Sequence, residues 1–491
     1  MRGLDFLSTL FVFVVGAAAF GIVIMYLLDT NQSRDAVRHN YPVVGRFRDL
    51  FIRLGEFFRQ YFFALDREEM PFNRAEREWI YKSAKGRDNT VPFGSTRALT
   101  PVGTPIFMNC AFPTLETQAT EAPPVTFGPE TPNPYTAQSI INVSGMSYGA
   151  LSKPAVQALS RGAKLASCWM NTGEGGLSPF HLEGGCDIVF QIGTAKYGVR
   201  DDNGGLDEKK LKAVAAKPQV KMIEVKLAQG AKPGKGGLLP AAKVNREIAK
   251  IRGIPAGKPS ISPNRHPEID SVDSLLDFID RVRTISGLPV GFKTVVGDAR
   301  WFDTLCAAIH QRGEASAPDF ITIDGGDGGT GAAPMPLMDV VGLPLKEALP
   351  AAVDVIVRHG LKERIKIIAS GKLVTPSEVA WAYCAGADTV VSARGYMFAI
   401  GCIQAMRCNT NLCPTGITTH KKSLQGGLNP AKKAVNVVNF VEKIHYGVGL
   451  ISHSCGVAHP RALKRHHVRI VQENGRSTPL DELYSQAETA A

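Results

Sequence analysis

The stretch Phe320-Ile-Thr-Ile-Asp-Gly-Gly-Asp-Gly-Gly-Thr-Gly331 decides the fold. It begins with the β-branched and aromatic residues that suit strands, and it breaks at Asp324 into a run containing five glycines. The same signature recurs outward in both directions: SIINVSG (139–145), CDIVFQI (186–192), VKMIEVKLA (220–228), LPVGFKTVV (288–296), IKIIASG (365–371) and DTVVSARG (388–395). Helical patterns near 153–166, 242–252, 272–285 and 375–385 separate these runs. Strand followed by helix, repeated, predicts a parallel sheet covered by helices. A closed (β/α)8 TIM barrel and an open doubly wound sheet both satisfy the alternation. The barrel is favoured because polar and glycine positions recur just after the strands, at Ser144-Gly145, Lys226, Asp324-Gly325, Ser370-Gly371 and Ala393-Arg394. An open sheet concentrates its glycines in one early turn, and no GxGxxG follows the first strand.

The 491 residues would fill about three average domains, or one large barrel with additions. With 44% apolar and 21% charged residues, the composition excludes a disordered chain, a collagen-like repeat and a disulfide scaffold. The net charge of +11 suits an acidic ligand, an anionic membrane or nucleic acid equally well. No GxxxxGK[ST] is present, which disfavours a nucleotide triphosphatase.

Residues 6–28 contain no charge, long enough to cross a hydrocarbon core of about 30 Å as a helix. Only Arg2 precedes this run, whereas Arg34, Arg38, Arg46 and Arg48 follow it, so a retained single-pass anchor is expected with the remaining chain in the cytoplasm. On that reducing side the nine cysteines are expected as thiols or metal ligands. In residues 50–65, Arg53, Glu56, Arg59 and Gln60 are interleaved with Phe51, Phe57, Phe58, Tyr61, Phe62 and Phe63 at helical spacing. Such a helix can lie in the headgroup plane or pack its aromatics on the main domain.

Three motifs carry chemistry. The glycine loop at 325–331, Ser370-Gly371 and Arg394-Gly395 follow late strands, where barrels hold phosphate through backbone N–H groups, so a phosphorylated cofactor is expected. Cys402, Cys408 and Cys413, spaced C-x5-C-x4-C with Pro414 next, suit a [3Fe-4S] cluster; a [4Fe-4S] cluster with an outside ligand and a zinc site remain open on spacing alone. Lys226, Gln229 and Lys232 end a strand and open into glycines, where the lysines can face a reduced flavin or a substrate carboxylate.

Taken together, KLAQGAKPGKGG (226–237), NTGEGG (171–176), ISPNRHPEIDS (261–271), DGGDGGTGAAP (324–334) and GCIQAMRCNTNLCPTG (401–416) resemble the FMN-binding synthase domain of glutamate synthase, in that family's order. The resemblance implies FMN and a [3Fe-4S] cluster bound by Cys402, Cys408 and Cys413. It places Gly145, Met146, Lys226 and Gln229 near the flavin, with Gly328, Gly329, Ser370, Gly371 and Arg394 around its ring and phosphate. Glu174, Lys232, Arg252 and Ser271 match positions around 2-oxoglutarate and its imine. The implied reaction is reductive amination to L-glutamate, with Lys232 and Arg252 binding the dicarboxylate and Glu174 donating a proton to nitrogen.

The pattern also departs from the family. A glutaminase domain and a C-terminal β-helix are not recognised, so ammonia is expected to arrive free or from elsewhere. Leu238 stands where the family has a glutamine, which leaves open another amine or keto acid, as in an N-alkylglutamate synthase, or a non-catalytic electron-transfer subunit. The electron donor is open between ferredoxin, a reductase subunit and the quinone pool. The expected organisation is a span at 6–28, juxtamembrane helices and an irregular lead-in at 29–138, the barrel with its cysteine loop at 139–420, and a basic extension at 421–491. Nucleic acid is not needed to explain the charge once these anionic ligands and the topology arginines are counted.

Overall fold

The computed structural model describes residues 2–32, 35–63 and 65–484. The chain divides into two compact units, one up to Arg77 and one from Glu78 onward. In the first unit, helix Arg2–Asn31 is long and apolar enough to cross a membrane, and its apolar side chains are exposed. Its end is tied by Asp29, whose carboxylate accepts from Val43 N at 2.9 Å and Arg46 Nη2 at 2.8 Å. Helix Gly45–Phe58 continues into a π turn, Arg59–Phe63, and Phe51, Phe57, Phe58, Tyr61, Phe62 and Phe63 are all exposed. Arg34 and the side chains of Arg53, Glu56, Arg59 and Gln60 lie outside the described residues.

The second unit is built on a closed barrel of eight parallel strands: β1 (Ile141–Val143), β2 (Trp169–Asn171), β3 (Asp187–Ile192), β4 (Val220–Lys226), β5 (Val290–Val295), β6 (Phe320–Asp324), β7 (Lys366–Ser370) and β8 (Thr389–Ser392). Each strand pairs with the next in sequence, and β8 closes on β1 through Val390↔Ile141 and Ser392↔Val143. The expected TIM barrel is therefore the observed fold. The strand absent from the sequence reading is β2, three residues long and cut short by the NTGEGG turn.

Alternation along the strands stacks the interior in layers. At the N-terminal end, Phe320 and Trp169 open β6 and β2, and they meet Phe127 from a hairpin of strands Val125–Phe127 and Tyr135–Ala137. Phe127 is fully buried, with edge-on ring contacts at 5.7 Å to Trp169 and 5.8 Å to Phe320, so the hairpin plugs that mouth. Midway, Asn171, Gln191, Glu224 and Thr322 form a buried polar layer. Lys226, Lys293, Asp324 and Ser370 lie above it, toward the C-terminal mouth.

Two expected boundaries shift. Within the basic extension, helix Pro430–Ser454 packs along helix Lys153–Leu165 and completes the barrel's outer shell. Gly162 makes this approach possible, since a Cβ there would lie 2.5 Å from Val437 Cβ. The lead-in likewise joins the fold: Pro105–Phe107 pairs antiparallel with Val468–Val471, which pairs with Ser477–Pro479. The basic extension and the second half of the lead-in thus belong to the barrel domain.

Burial lowers three histidines, His181, His266 and His445, from 6.5 to about 4. Between these values the unfolded chain binds protons that the folded chain refuses. Stability is therefore undiminished above pH 6.5 and falls as pH drops toward 4, by up to roughly 3 kcal/mol per histidine. Urea midpoints recorded from about pH 7 down to about 4.5 are expected to decline steadily. A flat profile would show that these imidazoles are hydrated.

Candidate active site

The C-terminal mouth is built around Glu174. Asn171 ends β2, and the chain then makes a tight turn, Gly173–Gly175; Gly173 takes φ +61°, and a Cβ there would lie 2.6 Å from Ser147 N, so both its backbone and its surroundings require glycine. Gly193 and Gly237 leave room for the Glu174 side chain, since their Cβ atoms would lie 2.6 Å from its Cβ and 2.5 Å from its Oε1. The carboxylate faces two lysines, with Oε2 at 3.2 Å from Lys226 Nζ and Oε1 at 3.9 Å from Lys232 Nζ. Arg252 is buried beside them, donating from Nη1 to Ser260 Oγ at 3.1 Å and stacking over Tyr197 at 5.0 Å. Ser260 in turn donates to the Tyr197 hydroxyl at 2.8 Å.

Electrostatics assigns different roles to these groups. Burial pushes Glu174 up, but the ammonium groups of Lys226 and Lys232 outweigh it and hold the carboxyl below its usual value. Burial lowers Lys232 from 10.5 to about 8 against the pull of Glu174. At neutral pH Glu174 is ionised and accepts, while Lys232 is the group able to release a proton. The expected donation by Glu174 requires a protonated carboxyl, and the two ammonium groups favour the ionised form.

The rest of the expected set lines the same mouth. Lys226 donates to Gln229, whose Nε2 reaches Gly329 O at 3.4 Å. Gly230 N donates to Asp324 Oδ2 at 2.8 Å, and Lys293 Nζ lies 3.3 Å from both that oxygen and Ser370 Oγ. A Cβ on Gly329 would lie 2.7 Å from Arg394 Cζ, and one on Gly328 would lie 2.9 Å from Gly325 O. Gly371 takes φ +129° beside Gly325 N. At the base, Gly145 packs against Asn171 and Gln191, and Met146 is buried, its N–H directed to Asn171 O at 3.4 Å.

Two residues fall elsewhere. Ser271 is exposed at the N-cap of helix Val272–Ser286, and its hydroxyl accepts from Ser274 N at 3.2 Å, so its role here is to cap. Leu238 pairs across a short ladder with Ile261 and is 49% exposed, whereas its neighbours Leu239 and Ser260 are the buried pair, with Ser260 bonded to Arg252. Leu238 therefore shows on the outer face of that ladder and does not replace a polar contact inside the mouth.

Sequence reasoning placed Asp324 on this face without a partner, and missed Lys293, Tyr197 and the polar layer beneath them. A signal existed for Lys293: in LPVGFKTVV it is a lone lysine within an otherwise apolar strand.

The cysteine loop turns sharply, with Gln404, Met406 and Asn411 at φ 57°, 54° and 62°. Burial and then Cys413 push the Cys408 thiol up, while at Cys413 the hydroxyls of Thr415 and Thr418 outweigh burial and hold the thiol low. These two cysteines are neighbours. Among the described residues, however, no three His, Cys, Asp or Glu side chains form a group that could hold a metal ion, so Cys402 is not brought into one set with Cys408 and Cys413.

A family model for the conserved region in glutamate synthase matches residues 106–458. The chain is 38% identical to the glutamate synthase large subunit-like protein YerD of Bacillus subtilis, over 97% of this chain and 98% of that protein. It is 32% identical to the archaeal glutamate synthase [NADPH] of Methanocaldococcus jannaschii over 67% of this chain, and 31% identical to the archaeal-type glutamate synthase [NADPH] of Dehalococcoides mccartyi over 61%. The alignments span 61% and 56% of those two enzymes' own lengths. A family model matched over residues 106–458 and a relative aligned over 97% of this chain make it a member of the glutamate synthase family of oxidoreductases.

Proposed function

We propose that this chain reduces the imine of a 2-keto dicarboxylate, with 2-oxoglutarate and ammonia giving L-glutamate. The observation that carries the reading is the charge balance at the mouth: Lys226, Lys232 and Arg252 are buried around a single carboxylate, Glu174. Buried cations need anionic partners, and a dicarboxylate supplies them.

FMN fits the second part of the mouth. Gly328, Gly329 and Gly371 form a cradle without side chains, Arg394 lies against it, and Lys226 and Lys293 point in from β4 and β5. When bound, the flavin supplies hydride. The residues of this chain do the rest. Lys232 and Arg252 hold the substrate carboxylates, and ionised Glu174 accepts hydrogen bonds from ammonia and then from the protonated imine nitrogen, which keeps the imine carbon electron-poor. Lys232 returns a proton to the product amine. A [3Fe-4S] cluster on Cys402, Cys408 and Cys413 is proposed from their C-x5-C-x4-C spacing and the family motif they match. The thiols as arranged do not form one ligand set, and no step here passes through a cluster. Iron and acid-labile sulfide in about three-to-four proportion would support it.

The deciding experiment is anaerobic reduction of the purified full chain, followed by addition of 2-oxoglutarate with ammonia or with alkylamines while the flavin spectrum is recorded. Reoxidation by 2-oxoglutarate plus ammonia is expected; a spectrum indifferent to every keto acid and amine pair would end the reading. The electron donor is proposed to be a separate redox protein or the quinone pool.

We further propose that helix Arg2–Asn31 anchors the enzyme with its barrel on the cytoplasmic side, and that the exposed aromatics from Phe51 to Phe63 rest in the headgroup layer. Removal of residues 2–31 is then expected to weaken membrane association without releasing it fully, and the added change Phe57→Ser/Phe62→Ser to release it. Flotation of these variants with vesicles checks both steps; complete release by the first deletion alone would sink the headgroup role.

A further inference from the structure

Below the charged mouth lies a carboxylate for which the chemistry above has no use. Glu224, on β4, is 3% exposed. Its Oε1 accepts from Asn171 Nδ2 at 2.8 Å and Gln191 Nε2 at 2.6 Å, and its Oε2 accepts from Thr322 Oγ1 at 2.7 Å. The lysines at neighbouring barrel positions pair elsewhere, Lys226 with Glu174 and Lys293 with Asp324.

A carboxylate only accepts, so both amides must turn their NH2 groups toward it. For Asn171 this leaves the carbonyl oxygen facing the opposite way, where it accepts from Gly173 N at 2.9 Å in an Asx-type turn. Gly173 opens the turn that carries Glu174. Asn171 Oδ1 and Gln191 Nε2 also both lie 3.0 Å from where a Cβ of Gly145 would sit, so the oriented amides support the Gly145-Met146 backbone as well. Deprived of the Glu224 acceptor, the Asn171 amide is held in that orientation by the Gly173 bond alone.

We propose that Glu224 is a positioning residue: by fixing the orientation of the Asn171 amide it holds the Gly173–Gly175 turn, and with it Glu174, in place for the imine reduction on whose assignment this inference rests. What matters in this role is an acceptor oxygen at the Oε1 position; the charge itself is incidental. A carboxylate kept merely for its charge would behave differently, since glutamine, which lacks the charge, would then lose as much as methionine.

The test compares Glu224→Gln, Glu224→Met, Asn171→Ala and the double variant Glu224→Met/Asn171→Ala in the full chain. Gln can still offer one oxygen to both amides while the Thr322 hydroxyl turns to accept from its new NH2 group, so turnover within about threefold of the parent is expected. Met removes the acceptor, and turnover is expected to fall about 30- to 100-fold, the scale of a small misplacement of a reacting group. Deuterium exchange at the Gly173 amide should quicken about tenfold or more in the Met variant and stay slow in the Gln variant. Because Asn171 is the link to the Gly173–Gly175 turn, the double variant should lose far less than the sum of the two single losses. Equal behaviour of Gln and Met, or additive losses in the double variant, would overturn the proposal. Should the Met variant not fold, Asn171→Ala carries the test: turnover must fall as Gly173 exchange rises, and unchanged turnover overturns it. Exchange at Gly173 needs no substrate, so a parent chain inactive on every keto acid would refute the assigned reaction while leaving this link measurable.

Discussion

Glu174→Gln is expected to lower kcat/KM for 2-oxoglutarate and ammonia by about 10³-fold, the upper range for losing one positioned proton-handling and charge-stabilising group. The loss has two parts. Glutamine cannot stabilise a protonated imine as an anion does, and it leaves Lys226 and Lys232 without the carboxylate they share at 3.2 and 3.9 Å. Lys232 is already depressed to about 8 by burial, and Glu174 is the influence pulling it upward. Removing that pull moves Lys232 further down. The alkaline limb of the pH–rate profile, set by loss of the Lys232 proton, should therefore shift to lower pH in the variant. Rapid-mixing records of flavin reoxidation across pH check both effects, and a variant that keeps parental rates would remove Glu174 from the mechanism.

Phe127→Ala is expected to cost about 3–5 kcal/mol of stability. Phe127 closes the N-terminal mouth, fully buried against Trp169 and Phe320 with rings 5.7 and 5.8 Å apart. Strand ends fix all three positions, so the barrel cannot collapse around a missing ring, and the cavity term adds to the lost transfer energy. The C-terminal mouth lies at the other end of the strands. At a temperature where the variant is still folded, its KM is expected to stay near the parent's. Urea unfolding with parallel kinetics checks this; a loss under about 1 kcal/mol would mean that the hairpin does not seal the barrel.

The fold was legible where strands are long and end in glycine or a polar residue, because the period of two and the abrupt break are both visible in a single line of sequence. It was illegible at β2, where Trp169–Asn171 gives only three residues to carry a period, and at helix Pro430–Ser454, which the cysteine loop separates from the strand it serves. The mouth was legible in its lysines and glycines because those types are unusual at strand ends. The layer of Asn171, Gln191, Glu224 and Thr322 was not, since each residue stands alone in its own strand and only closure of the barrel brings the four together. The ionisation of Glu174 was illegible for the same reason: it depends on Lys226 and Lys232, which sit more than fifty residues away in the chain. Ser271 was read as a ligand although Ser at the start of an amphipathic run is also the ordinary cap signal, and the cap is where its hydroxyl is used.

Among the described residues, the helix that completes the shell is the last long helix to be synthesised. Residues 401–416 leave the ribosome before Pro430–Ser454, and at about 5–20 residues per second the interval is on the order of a few seconds. During that interval the groove at Gly162 is unfilled and the cysteine loop hangs from β8 without the helix that later follows it. A chain cut at residue 420 would stay in that state permanently. It would retain every strand of the barrel and every mouth residue, yet expose the apolar flank of Lys153–Leu165, and on this ground it should be a client of chaperones rather than an enzyme.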